Sequence, residues 1–443
     1  MKDELTLKTR REFLRTTMLG SALSWTVPTF LANTFSTLHA AAENSPIQTV
    51  TGKDARILVV LQMAGGNDGL NTVVPFANDH YLKARPRIAV PAKAVLKIND
   101  ELGLHPSLAG FRALYNAGQL GIIQGVGYPN PNRSHFRSTE IWQTATDSEK
   151  FDTTGWLGRF FDHTCSGCDP TVAVTIGGQM PQAFAAKQPK GICFSSPQNY
   201  RFIKSDKPGP GERDMMEESY RKLNDADEAQ MENSGGSIAA IHGAQRHSGS
   251  ALDFIERTAL DAQVSSDKIR AIASRGENKA TYPGSQLANS LKLVARLIGG
   301  GLPTRVYYVS QGGYDTHTNQ AGAHERLLKE LGDSVKAFVD DLKAQGNLDR
   351  VLVMTFSEFG RRVTENASQG TDHGAAAPMF VIGNKVPAGL LGRSPSLAPA
   401  DLFQGDVKFT TDFRNVYAGV LENWLATSSA AVLGRKFEPL RLV

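Results

Sequence analysis

Short continuous runs of apolar residues recur along the chain and alternate with stretches in which apolar residues follow helical spacing. Six of these runs have the length and the Val, Ile and Leu content of strands that are buried on both faces. They are Arg56–Gln62, Leu120–Gly127, Val172–Gly178, Arg305–Ser310, Arg350–Phe356 and Met379–Gly383. Helical spacing is found in Pro106–Ala117, Ala323–Gly346 and Asp412–Ala426. This alternation predicts an α/β fold with a mostly parallel central sheet flanked by helices.

One long segment, at about 204–282, departs from this pattern. It is polar and helix-prone, contains a Gly/Ser break at Ser234–Ser237, and holds no run typical of a buried strand. We interpret it as a helical insertion, and the alternative is that it is one of the connections between strands. The length of 443 residues suits either one large domain or two to three smaller ones. The strands on both sides of the insertion favour one α/β domain over residues 43–443.

Residues 1–42 have the order of features found in an export signal. Arg10–Arg11 precedes a moderately apolar run at Met18–Leu31, and small residues at Ala40–Ala42 follow where a cleavage site belongs. The pattern resembles a twin-arginine signal; the alternative is an amphipathic helix that starts with two arginines. The signal predicts the twin-arginine translocation machinery as a partner, and a periplasmic or otherwise extracytoplasmic location.

The composition sets limits on other partners. Hydrophobic residues make up 41% of the chain and charged residues 21%, which is typical of globular proteins and excludes wholesale disorder. The formal charge of +4 comes partly from the leader, since residues 1–42 hold five basic and three acidic residues. No basic stripe with interleaved aromatic residues occurs, so we expect no nucleic-acid partner. The apolar run of the leader is short and interrupted, so we expect no permanent membrane anchor.

Three cysteines are compatible with a local disulfide in an oxidising compartment. Cys165 and Cys168, in the sequence CSGC, would close a small bridge, or Cys193 would pair with either of them. A structural zinc site would require further Cys or His ligands at matching spacing, and none is evident.

Chemically active side chains follow four of the predicted strands and precede another. Ligands bind beyond the carboxyl ends of the strands in open α/β sheets, so these positions define a candidate site. The side chains after the strands are Asn67, Asp68, Ser134, His135, Asp315, His317, Ser357, Glu358, Arg361 and Arg362. Asp372 and His373 come shortly before the last strand. Asp and His are common in loops, so each position alone has an ordinary explanation, but their shared placement favours a site.

Carboxylates together with imidazoles indicate a metal site. Such mixed ligand sets suit zinc, manganese or a similar ion, whereas a pure oxygen set would favour magnesium or calcium. A metal would lower the pKa of the Ser134 hydroxyl or of a water and stabilise an oxyanion. Arg361 and Arg362 would bind a phosphate or sulfate, or would be solvated charges. GGNDG fits neither the dinucleotide fingerprint nor the P-loop, and the esterase motif G-x-S-x-G does not occur.

The order of these motifs resembles one known family. The segments are the twin-arginine leader, LVVLQMAGGNDGLNTVVP, NRSHF, GGYDTH, TFSEFGRR, TDHG and TDFRNVY. Together they resemble the domain-of-unknown-function 1501 family over essentially the whole chain after the leader. That family is grouped by fold with the alkaline phosphatase and sulfatase superfamily. The resemblance therefore implies a mostly parallel sheet between helices, with a metal-dependent hydrolase site at the strand ends.

The resemblance implies a set of metal ligands, with zinc as the expected metal and magnesium, manganese or calcium as alternatives. These ligands are Asp68, Asp315, His317 and His373, with Glu358 as a further candidate. Two departures from the superfamily pattern affect the set. Ser357–Glu358 stands where the superfamily has an Asp-His pair, and only one residue separates Asp315 from His317. One metal, a second metal of altered preference, or a decayed site therefore remain as alternatives.

The resemblance also places Ser134 where the superfamily has its covalent nucleophile, with Ser138 close enough to compete. His135 would act as an acid or base, bind the metal, or pack against its neighbours. Asn67 and Arg361 are the expected contacts to the substrate.

These observations predict an exported, metal-dependent hydrolase that acts on a small anionic ester of phosphate or sulfate. The second hypothesis is a non-catalytic periplasmic binding or assembly protein that reuses the same fold. The Ser357–Glu358 departure favours the second hypothesis, whereas the retained Asp-Thr-His and Asp-His-Gly segments favour the first.

Overall fold

The computed structural model describes residues 55–165, 168–187, 191–198, 200 and 265–442. The signal peptide predicted at 1–42 lies outside these residues, as does most of the insertion predicted at about 204–282. The described end of that segment is helical at 265–275. All elements named below lie in one compact unit, which is drawn from residues 40–195 and 271–443.

In the described part of this unit we label twelve strands and nine α-helices. The strands are β1 (Ile57–Met63), β2 (Val73–Val74), β3 (Leu96–Lys97), β4 (Gly103–Leu104), β5 (Leu120–Gly127), β6 (Ala173–Ile176), β7 (Ile192–Phe194), β8 (Val306–Gln311), β9 (Val351–Phe356), β10 (Ala377–Ile382), β11 (Gly389–Leu391) and β12 (Thr411–Asp412). The helices are α1 (Gly69–Thr72), α2 (Asp79–Ala84), α3 (Ala109–Asn116), α4 (His135–Thr144), α5 (Trp156–Thr164), α6 (Gln286–Gly299), α7 (Gln320–Gln345), α8 (Phe413–Gly419) and α9 (Ser429–Leu433).

The central sheet has nine strands among the described residues, in the order β11-β5-β10-β9-β1-β8-β6-β7 with β12 beside β5. β1 lies between β9 and β8 and is parallel to both, so Leu58 pairs with Leu352 on one side and with Val306 on the other. β10 is antiparallel to both of its neighbours, β5 and β9. The prediction of a mostly parallel central sheet flanked by helices is therefore confirmed, with β10 as the exception.

The six predicted strands correspond to β1, β5, β6, β8, β9 and β10, and their ends differ from the prediction by a few residues at most. These strands are buried on both faces, which makes them continuous apolar runs. β7, β11 and β12 were not anticipated because they have only two or three residues each. A separate small sheet, β2-β4-β3, was not anticipated for the same reason.

Helices cover both faces of the sheet. On one face, α6 and α7 pack together, and α7 also contacts α3. Gly110 of α3 allows this contact, since a Cβ there would lie 2.2 Å from the carbonyl oxygen of Gly332. The other face holds an aromatic layer from α4, α5 and α8, in which the Trp142 ring stacks on Phe413 at 4.4 Å. Alternation along β10 serves both layers, because Met379 joins the aromatic layer and Phe380 packs against Phe111 of α3.

Cys165 and Cys168 form a disulfide, with their Cα atoms 5.4 Å apart. Cys193 is a buried free thiol, and burial raises its pKa to about 11. Of the pairings that the sequence left open, the structure therefore contains the local one. None of the described helices is both long and apolar enough to cross a membrane.

Candidate metal centre

The loops that carry the predicted site residues meet at one edge of the central sheet. β1, β5, β8 and β9 run in one direction, so their carboxyl ends lie at the same edge. β10 runs in the opposite direction, so its amino end lies there too. This reversal brings the segment before β10, with His373, to the loops that follow the other strands.

The turn after β1 needs glycine to pack against the loop after β8. Gly65 has φ +119°, and a Cβ at that position would lie 2.5 Å from the backbone nitrogen of Asp315. Gly66 has φ +78°, and a Cβ there would meet the ring of Phe359 at 2.3 Å. Both conformations and both contacts exclude an ordinary side chain, so Gly65 allows the close approach of the Asp315 backbone and Gly66 that of the Phe359 ring.

Three imidazoles surround the carboxylate of Asp315. Single donor atoms of His135, Asp315 and His373 all lie within 4.8 Å of one another. The Nε2 atoms of His373 and His317 are each 3.1 Å from Asp315 Oδ1, and 2.9 Å from one another. His135 Nε2 is 3.5 Å from Asp315 Oδ2. The structure thus brings together four of the predicted site residues, and each is partly exposed to solvent.

The second ring nitrogen of each histidine is held by an oxygen acceptor. The Nδ1–O distances are 2.8 Å from His373 to the carbonyl of Arg133, 2.9 Å from His135 to Glu358 Oε1, and 3.1 Å from His317 to Asp372 Oδ1. A carbonyl or a carboxylate oxygen only accepts, so each Nδ1 is placed to donate, and Nε2 would then be the atom of each ring that binds a metal. Three Nε2 atoms and one carboxylate therefore converge, and imidazoles that are hydrogen-bonded in this way are the usual metal ligands of proteins.

Asp315 is held as an anion by its neighbours. Its pKa falls to about 2, because the partial burial that would raise it is outweighed by hydrogen bonds from Arg361 and His373. The Arg361 Nη2 atom donates to Asp315 Oδ1 at 2.8 Å. An ionised carboxylate is the form that binds a divalent cation.

Arg361 is buried, and its guanidinium is occupied by hydrogen bonds within the protein. The sequence analysis predicted instead that it contacts the substrate. Its side chain is not exposed, and it donates to the backbone carbonyl oxygens of Gly66 at 2.7 Å, Thr371 at 2.9 Å and Tyr314 at 2.9 Å, as well as to that of Gly65. Arg361 therefore ties three loops together and positions Asp315, and its guanidinium is not available to a substrate.

Asp68, the first predicted metal ligand, does not join the cluster. Its carboxylate lies 2.6 Å from the guanidinium of Arg85, both side chains are fully buried, and Gln320 also donates to it. Burial acts to raise the pKa of Asp68, but Arg85 lowers it more, so the carboxylate stays ionised. A guanidinium therefore occupies the place beside Asp68 where the sequence predicted a metal.

Asn67 is buried as well and faces the same polar network. Its Oδ1 accepts from the hydroxyl of Thr72 at 3.0 Å and from His324 Nε2 at 3.0 Å. Burial lowers the pKa of His324 to about 4, so its ring is neutral and donates through Nε2. Asn67 was predicted to contact the substrate, but its side-chain oxygen is used within this buried network.

The two candidate serines have different environments. Ser134 is exposed, immediately precedes His135 and occupies the N-cap position of α4, but its hydroxyl does not cap the helix. Ser138 is buried, and its hydroxyl bonds to Tyr128 at 2.7 Å and to the carbonyl of Glu358. Of the two hydroxyls, only that of Ser134 is accessible.

Ser357 and Glu358 hold the backbone of the turn after β1, and Glu358 also holds His135. The Ser357 hydroxyl donates to the carbonyl of Met63 at 2.7 Å and accepts from the Asn67 backbone at 2.8 Å. Glu358 is buried, and its Oε1 accepts from the Gly65 backbone at 2.8 Å as well as from His135. Glu358 thus orients His135 and is not itself part of the group of converging donors, although the sequence predicted it as a ligand.

A second polar group lies beside the cluster and was not found from the sequence. Asp406 is fully buried, and Arg133 Nε donates to its Oδ2 at 2.8 Å. Arg362 Nε lies 3.8 Å from Asp406 Oδ1. Both arginines are partly exposed, at 31% and 39% of the side chain, and they adjoin the backbone of the cluster. Arg133 lies in the NRSHF motif, but no signal in the sequence connects it to the distant Asp406.

With this geometry established, the family of the chain is clear. The family described as "protein of unknown function (DUF1501)" matches residues 55–434. The chain belongs to this family. The resemblance inferred from the motifs is thus confirmed, and the matched span includes every residue of the cluster. No curated protein sequence matches the chain.

Several solved structures show a distant similarity to this member of the family. A protein of the alkaline phosphatase superfamily from Vibrio parahaemolyticus has 9% identity and a TM-score of 0.38, with coverage of 92% of this chain and 77% of that one. The zinc complex of the C-terminal periplasmic domain of EptC from Escherichia coli has 10% identity and a TM-score of 0.34, with coverage of 77% and 78%. The lipoteichoic acid synthase LtaP from Listeria monocytogenes has 9% identity and a TM-score of 0.31, with coverage of 86% and 79%. At these TM-scores, none of the similarities identifies a reaction for this chain.

Proposed function

We propose that this protein is an exported, metal-dependent hydrolase of a phosphate or sulfate ester. The observation that carries the proposal is the convergence of three imidazole Nε2 atoms on the carboxylate of Asp315, with each Nδ1 held by an oxygen. The metal would be held by His135, Asp315, His317 and His373. A divalent ion there would polarise an ester oxygen and stabilise the negative charge that develops during the reaction.

We expect one metal per chain. Asp68, which a second metal would need, is already compensated by Arg85 at 2.6 Å. The ligand set is rich in imidazole, which favours zinc, with manganese as the next choice, over magnesium or calcium.

Ser134 is the proposed nucleophile. It is exposed, and its position next to His135 brings its backbone to the metal ligands. It also lies at the amino end of α4, where free N–H groups and the helix dipole favour an anion. An ester bound through its phosphate or sulfate would therefore be placed beside the Ser134 hydroxyl.

Arg362, together with Arg133, is the proposed contact to the anionic group of the substrate. Both guanidiniums are partly exposed; Arg133 is anchored by hydrogen bonds to the buried Asp406, and Arg362 lies 3.8 Å from the other oxygen of that carboxylate. An arginine that is already oriented by a carboxylate loses less conformational entropy when it binds an oxyanion. The buried Arg361 is left with the positioning of Asp315.

Metal analysis combined with a substrate panel tests the proposal. We expect the purified protein to contain about one zinc per chain and to hydrolyse an aryl phosphate or an aryl sulfate. Asp315→Asn and His373→Gln should each lose both metal and activity, whereas His80→Gln, which changes an exposed histidine of α2, should keep both. A protein that holds no metal and turns over no ester with zinc, manganese, magnesium or calcium would contradict the proposal.

A non-catalytic binding or assembly protein is the second candidate. Ser357 and Glu358 stand where the superfamily pattern has an Asp-His pair, and here they hold backbone groups and His135. This departure favours the second candidate. The two candidates differ in the effect of Ser134→Ala. This change should abolish the cellular role of an enzyme and leave the role of a binding protein intact.

Export by the twin-arginine machinery is part of the proposal and is supported by the leader sequence. We expect Arg10→Lys combined with Arg11→Lys to retain the protein in the cytoplasm, as measured by cell fractionation. Unchanged export of this double variant would contradict the assignment.

A further inference from the structure

A cavity of about 270 Å³ lies beside β5 and β10, apart from the metal cluster. Apolar residues outnumber polar ones in its lining, which comes from α1, β10 and the loops around them. The apolar lining includes Leu70, Val73, Leu102, Pro378, Leu397 and Val407. None of the four proposed metal ligands lines it. The volume is near the lower end of the range for small-molecule sites, which begins at about 300 Å³.

The sequence of the two strands accounts for the cavity. β10 contains Pro378, which has no N–H to donate to a neighbouring strand, and the register of β10 against β5 shifts between Ala377 and Met379. On β5, Gly125 has φ +54°, and a Cβ there would lie 2.4 Å from the hydroxyl of Thr410. The regular pairing of the two strands is therefore interrupted beside the cavity.

One polar group in the lining has no partner. Gln124, on β5, is 6% exposed, and its side-chain Nε2 makes no hydrogen bond. A buried donor without an acceptor loses its hydrogen bond to water and gains none in return, so native proteins rarely leave one unsatisfied. Gln124 is one of the residues that line the cavity, so a molecule bound against this side chain would supply the missing acceptor.

The charges around the cavity restrict the class of molecule. Arg361 lines it, but its guanidinium is compensated by Asp315 at 2.8 Å. The exposed Glu101 also contributes to the lining, and its carboxylate would repel an anion. The cavity is therefore unsuited to the anionic ester that we propose for the metal centre.

We propose that this cavity binds a small, neutral, mostly apolar molecule whose carbonyl-type oxygen accepts a hydrogen bond from Gln124 Nε2. The apolar lining supplies the burial of the carbon skeleton, and the amide fixes its orientation. The proposal does not depend on the function of the metal centre, because the two sites have no ligand residue in common.

A pair of probes of similar size, one with and one without an acceptor, tests the hydrogen bond. 4-Fluoroacetophenone carries a carbonyl acceptor, and 4-fluorocumene replaces it by a methyl group. Titration of each probe with the full mature protein, followed by ¹⁹F NMR, gives both dissociation constants. We expect the ketone to bind roughly five- to tenfold more tightly, the ratio that one net hydrogen bond provides.

Two variants separate the hydrogen bond from the cavity. Gln124→Met keeps the length of the side chain and removes the donor. It should therefore abolish the preference for the ketone and leave the dissociation constant of 4-fluorocumene unchanged. Its stability to urea should equal or exceed that of the wild type, because no buried donor remains unsatisfied. Ser394→Trp adds a ring at an exposed position of the lining and should weaken both probes.

Three results would overturn the proposal. They are equal affinity of the two probes for the wild type, a preference for the ketone that survives Gln124→Met, and no binding of either probe up to its solubility limit. Metal content, measured on the same samples, should be unchanged in both variants. A loss of metal from either variant, with probe binding as expected, would contradict the independence of the two sites and would leave the assignment of the cavity intact.

Discussion

The carboxylate of Asp68 lies 2.6 Å from the guanidinium of Arg85, and neither side chain is exposed to solvent. The remaining donors of Arg85 are also used, on Asn71 Oδ1 at 2.8 Å and on the backbone carbonyls of Val363 at 2.9 Å and Arg362 at 2.8 Å. The pair therefore joins the turn after β1 to the loop after β9 without any exposed charge. Its integrity sets the position of two loops that reach the cluster of His135, Asp315, His317 and His373.

Arg85→Met should destabilise the protein by about 3–5 kcal/mol, because it leaves a buried carboxylate without a partner. Urea unfolding at neutral pH measures the change. The double variant Asp68→Asn with Arg85→Met should recover part of the loss, since no buried charge then remains. Lys329→Met, which breaks the exposed pair of Lys329 with Asp333, is the control and should have little effect on the free energy of unfolding. A similarly small effect of Arg85→Met would contradict this account of the pair.

Glu358→Gln should weaken metal binding about 10- to 100-fold, because an amide oxygen holds His135 Nδ1 less strongly than the carboxylate oxygen does. The amide oxygen of glutamine still accepts from the Gly65 backbone, so the fold should be retained. Competition with a chromophoric chelator measures the affinity for zinc. Glu149→Gln, at an exposed position, is the matched control and should leave the affinity unchanged. Equal affinities of all three proteins would show that Glu358 does not support the metal centre.

Arg362→Met should raise the KM for an anionic ester by about tenfold while kcat changes less, since the guanidinium is assigned to substrate binding. Arg362→Lys should retain part of the effect, because it keeps the charge and loses the fork of donors. Steady-state kinetics over a range of ester concentrations gives both constants. A fall in kcat with an unchanged KM would instead place Arg362 in the chemical step.

His324 should make folding stability depend on pH between about 6.5 and 4. Its pKa is 6.5 in an ordinary environment and about 4 in the folded protein, because burial disfavours the charged ring. As the pH falls through this window the unfolded chain takes up a proton that the folded protein does not, so stability is lost. The loss from this residue amounts to about 3 kcal/mol and ends near the folded pKa.

His324→Gln should remove this part of the pH dependence, since an amide still donates to Asn67 and does not titrate. Urea unfolding at pH 7 and at pH 4.5 gives the difference for each protein. His80→Gln, at an exposed position, should keep the dependence of the wild type. A wild type and a His324→Gln variant that lose the same stability between the two pH values would refute the assignment.

The central strands were predictable because burial on both faces leaves a plain signal, an unbroken apolar run such as that of β9. Helix α4 was not predicted, since it buries Ser138, Gln143 and Thr144 together with Ile141 and Trp142 and so lacks a clean apolar stripe. The direction of β10 was also missed. The sequence did contain a sign of this direction. Adjacent parallel strands need a long crossover, usually a helix, and the chain between β9 and β10 has no helical periodicity.

The candidate site was predictable only as far as strand ends define it. His135, Asp315, His317 and His373 follow or precede strands, and the sheet brings them together. The roles of Asp68 and Arg361 were not predictable, because each depends on a partner that tertiary packing supplies. Arg85 lies on the segment after α2, away from any strand end, and nothing in its local sequence indicates that it binds Asp68.

The reversal of β10 has a consequence for how the site can change over time. Glu358, Arg361, Asp372 and His373 all belong to the one excursion that leaves the sheet after β9 and re-enters it at the same edge. Exchange of this single cassette between related chains would transfer one metal ligand together with its supporting groups. His135 and Asp315 would stay with the host scaffold. The residues of the candidate site thus come from two parts of the chain that could be exchanged separately. A poor fit between these parts would displace a ligand residue while the sheet remained intact.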